Sequence, residues 1–143
     1  MTTDPALTGP ALSGPFVGVS AIVTRNGAVL LGRRRGAHGA GTFAFPGGKP
    51  DPGEHPADTV GRELLEETGL TARAVHPLAW TSDVFTEDHL HFVTLHHVVD
   101  AEGEPEVREP DKVEAWGWFA WDALPEPLFS PAVSLRATGW RPG

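Results

Sequence analysis

The sequence predicts an α/β domain built on a mixed β-sheet. Segments with the two-residue period of strands and segments with the 3.6-residue period of helices are interspersed, but they do not alternate strictly, as they would in a doubly wound parallel sheet. With 143 residues, of which 40% are hydrophobic, the chain can form the core of one domain but not comfortably of two. We therefore expect a single domain over residues 16–143.

The first elements are an arm and a β-hairpin. Residues 1–15 are rich in Pro, Gly and Thr and are expected to be flexible, because they cannot bury enough apolar surface to become ordered. The segment FVGVSAIVTR then predicts a strand, Asn26 and Gly27 a two-residue turn, and AVLLGRRR the partner strand. A glycine-rich loop and the short strand FAFP follow. Gly47 and Gly48 predict a turn where the backbone can approach a ligand closely.

The next segment, from Ala57 to Thr68, has the period of a helix. Pro56 suits the first helical turn and Gly69 the cap after the last. At about 100° per residue, one packing face is predicted, formed by Ala57, Val60, Gly61, Leu64, Leu65 and Thr68. A second, acidic face is predicted, formed by Glu63, Glu66 and Glu67.

The second half of the chain predicts three strands and a closing helix. HPLAWTSDVF, LHFVTLHHVV and EAWGWFAW have strand character, with the acidic loop DAEGEPEVREPDK before the last of them. SPAVSLRATG has a Ser cap, an early Pro and a final Gly, which predicts a short helix. We interpret the strand histidines as ordinary strand residues and the five tryptophans as core residues.

Composition excludes several classes of function. The excess of 19 acidic over 11 basic residues gives a formal net charge of -8, which disfavours binding to nucleic acid or to an anionic membrane. The absence of cysteine removes disulfides and thiol catalysis and fits an intracellular protein. The N-terminus has no basic and apolar leader, and the longest apolar stretch, FVGVSAIV, is far short of the roughly 18 residues that a membrane helix needs. A cytoplasmic location is expected.

The carboxylates of the predicted helix are crowded. Glu63 and Glu67 are like charges one turn apart, and Glu66 adjoins Glu67, so the arrangement is unfavourable unless a positive charge lies nearby. Arg62 can pair with Glu66 but cannot neutralise three carboxylates. Oxygen ligands of this kind suit Mg²⁺ or Mn²⁺, which bind a few carboxylates and bridge to substrate phosphates.

The segment from Gly48 to Leu70 resembles a known site. Gly48, Glu54 and the run RELLEETGL that starts at Arg62 match every fixed position of the 23-residue signature of the Nudix hydrolases. The resemblance implies the Nudix fold, in which a mixed β-sheet is sandwiched between helices. It also implies an enzyme that cleaves a diphosphate linkage with water and a divalent cation, Mg²⁺ or Mn²⁺.

The resemblance assigns metal ligands residue by residue. Glu63 and Glu67 would be the principal ligands, with Glu66 contributing and the Gly48 carbonyl completing the shell. Ligands held by hydrogen bonds keep their geometry, and a metal-bound site of this kind neutralises charge on the transferring group.

Supporting and catalytic roles follow from the same match. Arg62 and Glu54 occupy positions that orient the ligating carboxylates and brace the loop against the helix. We favour Glu67 as the residue that takes the proton of the attacking water. Glu114 or Glu109, in the acidic loop, is a candidate for an additional metal or base role, and plain loop charge is an equal alternative for both.

Segments outside the signature resemble the MutT-type nucleoside triphosphate diphosphatases. LLGRRRGAHGAGTFAFPGG, HFVTL and EAWGWFAWDALP carry this resemblance, which implies conversion of an NTP or dNTP to the monophosphate and pyrophosphate, and a possible homodimer. Arg34 would bind the phosphates, although a solvated charge at a strand edge is the alternative. Phe45, Thr94 and Leu135 match positions of the base pocket, and Gly47 would allow close approach of the substrate.

Two other functions remain open at this stage. The first is hydrolysis of ADP-ribose or another nucleoside diphosphate derivative, or of a dinucleoside polyphosphate. Its weak markers, a Pro about 16 residues past the signature or a Tyr slightly further on, are absent. The second is a Nudix-fold sensor that binds a nucleotide without cleaving it. Sensors of this kind commonly lack carboxylates of the signature, and none is lost here.

Overall fold

The computed structural model describes residues 11–36 and 38–143. Within them lie two helices, seven strands and one 3₁₀ turn, in the order β1 (Ser13–Arg25), β2 (Ala28–Arg34), β3 (Phe43–Ala44), β4 (Gly47–Gly48), α1 (Pro56–Thr68), β5 (Thr71–Phe85), β6 (Leu90–Glu102), β7 (Val113–Ala120), the 3₁₀ turn (Trp121–Ala123) and α2 (Ser130–Ala137). Neither helix in this part of the chain is long and apolar enough to cross a membrane.

The sheet is mixed, which confirms the predicted fold class. Its strand order is β3-β2-β1-β6-β5, with β4 paired to β1 and β7 paired to β2. The central pair β1–β6 is parallel and the other pairs are antiparallel. Asn26 and Gly27 form the predicted hairpin turn, and both have positive φ, 53° and 78°, as a two-residue turn of this hand requires.

The two helices cover opposite faces of the sheet. Alternate residues of β1 point to opposite sides, so Val19, Ala21 and Val23 pack in one hydrophobic cluster with Val60 of α1, while Ile22 packs in the other, which includes residues of α2. This arrangement confirms the predicted sheet between helices. Trp80, expected in the core with the other tryptophans, is instead 68% exposed on β5.

The N-terminal boundary differs from the expected one. The first ten residues of the proposed arm lie outside the described residues, whereas β1 begins at Ser13, three residues before the expected start of the domain. Ser13 pairs with Leu90 of β6, and its N–H donates to the His89 carbonyl at 2.8 Å. These backbone hydrogen bonds order a segment whose composition alone gives no strand signal.

Helix α1 has the predicted ends but a rotated packing face. It begins at Pro56, and it ends at Gly69, whose φ of 79° is the left-handed cap. Leu65, expected in the packing face, is 47% exposed. Thr59, on the other side of the helix, is fully buried. The buried stripe is therefore turned toward the side that carries Glu63 and Glu67.

Gly47 and Gly48 form a strand pair and not the turn expected from the sequence. They pair with Ser20 and Val19 of β1 in antiparallel register. A Cβ atom on Gly47 would strike the Val19 carbonyl oxygen. The glycine pair thus allows two backbones to approach more closely than side chains permit.

The closing helix differs from expectation by one residue. It begins at Ser130, so Phe129 occupies the cap position that the sequence assigned to Ser130. Phe129 instead contributes its ring to a cleft described below.

Candidate active site

A cleft of about 690 Å³ is lined by residues of both helices and of several strands. Two kinds of wall can be distinguished. The first wall is formed by glycine backbone and carboxyl groups, from Gly47, Gly48, Glu63 and Glu67. The second is aromatic, from His38, Phe45, Phe85, Phe92 and Phe129. A molecule with one highly charged end and one flat apolar end would match both walls.

Glu67 is the most perturbed carboxyl group of the cleft. Burial first, and the charge of Glu63 second, raise its pKa to about 8, against the opposing effect of a hydrogen bond from Gly47. In that bond the Gly47 N–H donates to Oε2 of Glu67 at 2.9 Å. A cation beside this carboxylate would favour its charged form and reverse the shift.

Glu63 lies directly against the second glycine. A Cβ atom on Gly48 would collide with the Glu63 carboxyl group, so glycine lets Glu63 keep the position that it has here. Burial raises the pKa of Glu63, and Arg62 opposes the rise through a hydrogen bond of 2.9 Å from its Nη1 to Oε1. The glutamate is thus fixed between an arginine and a strand backbone.

Arg62 is itself held by Glu54. Its Nε and Nη2 atoms donate to Oε2 and Oε1 of Glu54 at 2.8 and 2.9 Å, and Thr59 Oγ1 donates to Oε1 at 2.7 Å. These hydrogen bonds, that from Arg62 first, lower the pKa of Glu54 to about 2, and Glu54 in turn raises the pKa of Arg62. A two-point fork of this kind fixes the direction of the guanidinium.

The donors at this end of the cleft fit a hard divalent cation in part. Within residues 11–36 and 38–143, no three His, Asp or Glu side chains form a ready-made metal site. However, Glu63, Glu67 and the backbone of Gly48 converge there, and burial, followed by the charge of neighbouring glutamates, raises the pKa of both carboxyl groups. Two carboxylates with waters and phosphate oxygens are a usual environment for Mg²⁺.

The other three carboxylates that the sequence suggested as metal ligands, Glu66, Glu109 and Glu114, lie at different distances from the cleft. Glu66 is exposed and pairs with Arg62 at 3.3 Å, on the outer side of the helix. Glu114 is exposed and lies 3.5 Å from Arg33, so the structure does not bring it to the cleft. Glu109 is the loop carboxylate near the site, because its charge raises the pKa of both Glu63 and Glu67.

Arg34 connects the two walls of the cleft. Its guanidinium carbon lies 4.2 Å from the centre of the Phe129 ring, and its Nε donates to the His38 carbonyl at 3.2 Å. Burial lowers the pKa of Arg34, and the charge of Glu67 raises it. The side chain is therefore a partly desolvated cation facing the carboxylate end.

The residues expected in the base pocket divide between cleft and core. Phe45 and Thr94 line the cleft, and Thr94 is 6% exposed. Leu135, expected beside them, is completely buried in the cluster between α2 and the sheet. It supports the wall from behind, because its neighbours Pro131 and Ala132 present the surface that lines the cleft.

Two lysines that line the cleft were not predicted from the sequence. Lys49 follows the glycine pair, and its Nζ lies 5.3 Å from the Phe16 ring centre and 5.9 Å from that of Phe92. Lys112 lines the cleft and lies 3.6 Å from Glu109. The position beside the glycines could have pointed to Lys49, whereas Lys112 reaches the cleft only because the acidic loop folds back.

The aromatic wall is assembled around His38. Its ring centre is 4.4 Å from that of Phe85 and 5.4 Å from that of Phe129, with both pairs edge to face. Its Nδ1 lies 2.7 Å from Asp88 Oδ2, in the turn between β5 and β6. This contact ties the glycine-rich loop to the tip of the next hairpin.

Behind the cleft, polar side chains form a buried hydrogen-bonded chain. Ser20 Oγ lies 2.6 Å from His96 Nδ1, and His96 Nε2 lies 2.8 Å from Thr81 Oγ1. Thr81 Oγ1 lies 3.4 Å from Asp83 Oδ2, and Ser134 Oγ donates to Asp83 Oδ1 at 2.6 Å. The chain runs from Ser20, which lines the cleft, to helix α2. Burial lowers the pKa of His96 to about 4.

Comparison with known proteins agrees with this geometry. The family described as NUDIX domain matches residues 14–137. The chain is 36% identical over 105 residues to an oxidized purine nucleoside triphosphate hydrolase of Danio rerio, covering 73% of this chain and 65% of that protein. It is 30% identical over 115 residues to an ADP-ribose pyrophosphatase of Methanocaldococcus jannaschii, covering 80% and 68%.

A solved structure extends the similarity to the fold. The crystal structure of a MutT NUDIX hydrolase from Burkholderia pseudomallei matches with a TM-score of 0.81 and 36% identity, over 87% of this chain and 98% of that one. The chain spans only about two thirds of the length of the Danio rerio protein, so the shared part is the domain that holds the cleft. The chain therefore belongs to the Nudix hydrolase family and is similar to its MutT-type members.

Proposed function

We propose that the protein hydrolyses nucleoside triphosphates, NTP or dNTP, to the nucleoside monophosphate and pyrophosphate in a Mg²⁺-dependent reaction. One observation carries the proposal: Gly48 and Glu63 meet so closely that a Cβ atom at position 48 would displace the Glu63 carboxyl group, beside Glu67 and opposite an aromatic wall. The charged end suits a chain of phosphates, and the aromatic end suits a base.

The carboxylate end would hold the cation. Glu63, Glu67 and the Gly48 carbonyl are its proposed ligands, with Mn²⁺ as an alternative ion. When bound, the cation supplies positive charge that offsets the negative charge developing on the phosphates. Arg62 and Glu54 keep Glu63 in place through the fork described above.

Glu67 is the proposed proton acceptor for the attacking water. The Gly47 N–H fixes its Oε2, so Oε1 is the atom that we assign to the proton. Arg34 would bind the phosphates, since it is a partly buried cation at the junction of the two walls. Lys49 and Lys112 line the same cleft and would add to the positive charge.

The base would lie against the aromatic wall. Phe45 and Thr94 line the cleft, and the His38, Phe85 and Phe129 rings are in mutual contact. Stacking on such rings is tolerant of the identity of the base, so the choice among bases must come from polar groups nearby.

A second candidate function is hydrolysis of ADP-ribose. It is favoured by the similarity to the archaeal ADP-ribose pyrophosphatase, which covers 80% of the chain. The cleft of about 690 Å³ lies within the usual range for sites of small ligands and excludes neither compound.

Turnover of a substrate panel separates these functions. The purified protein would be assayed with four dNTPs, four NTPs and ADP-ribose, with Mg²⁺ and with EDTA, and the products resolved chromatographically. Release of pyrophosphate and monophosphate from triphosphates, lost in EDTA, is the expected result. Cleavage of ADP-ribose alone would replace the proposal with the second function. Tight nucleotide binding without any product would identify a sensor.

Location, partners and oligomeric state are part of the same proposal. We infer a cytoplasmic protein that acts on small nucleotides, binds neither nucleic acid nor membrane because of its net charge of -8, and forms a homodimer. We further infer one catalytic domain after an N-terminal arm, with the domain starting at Ser13, where β1 begins. Light scattering would report the oligomeric state directly.

A further inference from the structure

The buried chain of side chains behind the cleft has a direction. It runs from Ser20 through His96, Thr81 and Asp83 to Ser134, and its first four members are each at most 8% exposed. Each hydroxyl has one hydrogen to donate, and a neutral imidazole has one N–H. The hydrogen positions along such a chain are therefore coupled, and one end fixes the other.

The carboxylate of Asp83 sets that direction. An ionised carboxylate only accepts hydrogen bonds, so Thr81 donates to Oδ2 and Ser134 donates to Oδ1. Since Thr81 then has no hydrogen left, it accepts from His96, whose Nε2 must carry the proton. The Nδ1 atom of His96 accepts the hydrogen of Ser20. Burial lowers the pKa of His96, which agrees with a neutral ring that has a single N–H.

The direction of the hydrogen bonds determines how the Ser20 hydroxyl is oriented at the cleft. Its only hydroxyl hydrogen points back to His96, so the oxygen has only lone pairs to offer on its other side. Ser20 lines the cleft and pairs with His96 in the register that also places Thr94 beside Gly18.

We propose that Asp83 determines base specificity by making the Ser20 hydroxyl a hydrogen-bond acceptor toward the base. This inference rests on the proposed function, because it requires the base of a nucleotide to lie beside Ser20. A base with an amino group at that point would be favoured. A base with a carbonyl group would be disfavoured, since two acceptors would face each other without a hydrogen. We therefore expect preference for dATP over dITP, in which a carbonyl group replaces the amino group and N1 carries a hydrogen.

The direction of the chain can be measured without turnover. In ¹⁵N NMR spectra of the free protein, we expect His96 to carry its hydrogen on Nε2 and to have an unprotonated Nδ1. Asp83→Asn offers a donor to Thr81, which would then donate to His96, and His96 would donate from Nδ1 to Ser20. The variant should show the opposite tautomer. A wild-type ring protonated on Nδ1 would overturn the proposed direction.

Specificity is tested by binding, with Ca²⁺ in place of Mg²⁺ to prevent hydrolysis. The wild-type protein should bind dATP at least about tenfold more tightly than dITP, and Asp83→Asn should reduce or reverse the ratio. Ser20→Ala, which removes the acceptor, should bring the ratio close to one even if Asp83→Asn does not fold. Ser82→Ala changes an exposed serine of the same strand as Asp83 and should leave the ratio unchanged.

The outcomes separate this inference from the proposed function. Equal affinity for dATP and dITP in the wild-type protein, or an unchanged ratio in Ser20→Ala, would refute the role of Asp83 even if triphosphates are hydrolysed. If the affinity ratios of dATP to dITP are as expected but no pyrophosphate is released in the Mg²⁺ assay, the inference about Ser20 and Asp83 is supported. The proposed hydrolysis is then refuted.

Discussion

Arg62 and Glu54 face each other through two parallel hydrogen bonds, from Nε to Oε2 at 2.8 Å and from Nη2 to Oε1 at 2.9 Å. The same guanidinium donates from Nη1 to Glu63 at 2.9 Å. One arginine therefore joins Glu54, in the loop before α1, to Glu63, a proposed metal ligand in α1. The position of that proposed ligand depends on Glu54, a residue nine positions earlier that is not itself a proposed ligand.

Loss of the fork should weaken the metal site. In Glu54→Gln one carboxylate oxygen becomes an amide nitrogen that faces Arg62 as a second donor, so Arg62 and Glu63 should both shift. We expect kcat/KM to fall by about 10–100-fold, with a higher Mg²⁺ concentration needed for half-maximal rate. Asp51→Asn is the control, because Asp51 lies 3.5 Å from Arg62 and its side chain is 72% exposed. An equal loss in both variants would contradict the special role of Glu54.

Removal of the proposed proton acceptor should abolish turnover and leave the fold intact. Glu67→Gln replaces a buried carboxyl group, whose pKa is raised to about 8 by burial and the charge of Glu63, with a neutral amide of the same shape, so the melting temperature without metal should be unchanged or higher. We expect kcat to fall by roughly 10²–10⁴-fold, measured as pyrophosphate release. Glu66→Gln changes an exposed neighbour and should cost less than tenfold. Wild-type rates in Glu67→Gln would overturn the assignment.

A methyl group at the second glycine should damage the site through sterics alone. In Gly48→Ala the new Cβ would collide with the Glu63 carboxyl group, and a displacement of about 1 Å there should lower kcat about 100-fold. Gly61→Ala is a matched control within α1, where the nearest atom to a new Cβ is Ala72 Cβ at 4.0 Å. That variant should keep its activity and gain about 0.4–1 kcal/mol in stability. Similar rates for the two variants would contradict the close contact.

Buried His96 should make the fold sensitive to mild acid. Its pKa falls from an ordinary 6.5 to about 4 on folding, so the unfolded chain takes up the proton first and stability decreases as the pH drops from 6.5 to 4. The loss contributed by this residue is on the order of 3 kcal/mol, and above pH 6.5 it should contribute no pH dependence.

Urea unfolding at several pH values checks this expectation. His96→Gln, which cannot titrate, should be less stable at pH 7 but should lose less stability between pH 6.5 and 4 than the wild-type protein. His76→Gln alters an exposed histidine of β5 and should follow the wild-type curve. If the free energy of unfolding varies with pH in the same way in the wild-type protein and in His96→Gln, folding does not lower the pKa of His96.

Local features of the site could be predicted from the sequence, because their spacing is short. The distance of four positions between Glu63 and Glu67 places both on one side of α1, and Gly69 supplies the only backbone freedom that the helix end needs. The rotation of the packing face was not predictable in this way. Whether Leu65 or Thr59 is buried depends on how the helix lies on the sheet, and periodicity contains no information on that.

Features that join distant segments were mostly missed. The contact between His38 and Phe129 spans most of the chain, and the choice of Glu109 over Glu114 depends on the path of one loop. The hydrogen bonds that join Ser20 to His96 and His96 to Thr81 likewise require the register of three strands. Residue types alone could not show which of these partners would meet.

The parallel pairing of β1 with β6 has a consequence for folding. Ser20 and His96 are separated by 76 positions in the sequence. Pairing of β1 with β6 therefore costs the entropy of closing a long loop before the contacts between the two strands can form. The β1–β2 hairpin, helix α1 and the pairing of Gly48 with β1 involve only residues that precede β6. Ser20, however, meets His96 only after residues of β6 have been added. A chain interrupted before β6 therefore has the complete signature sequence and no cleft, and we expect nucleotide binding to appear in the last step of folding.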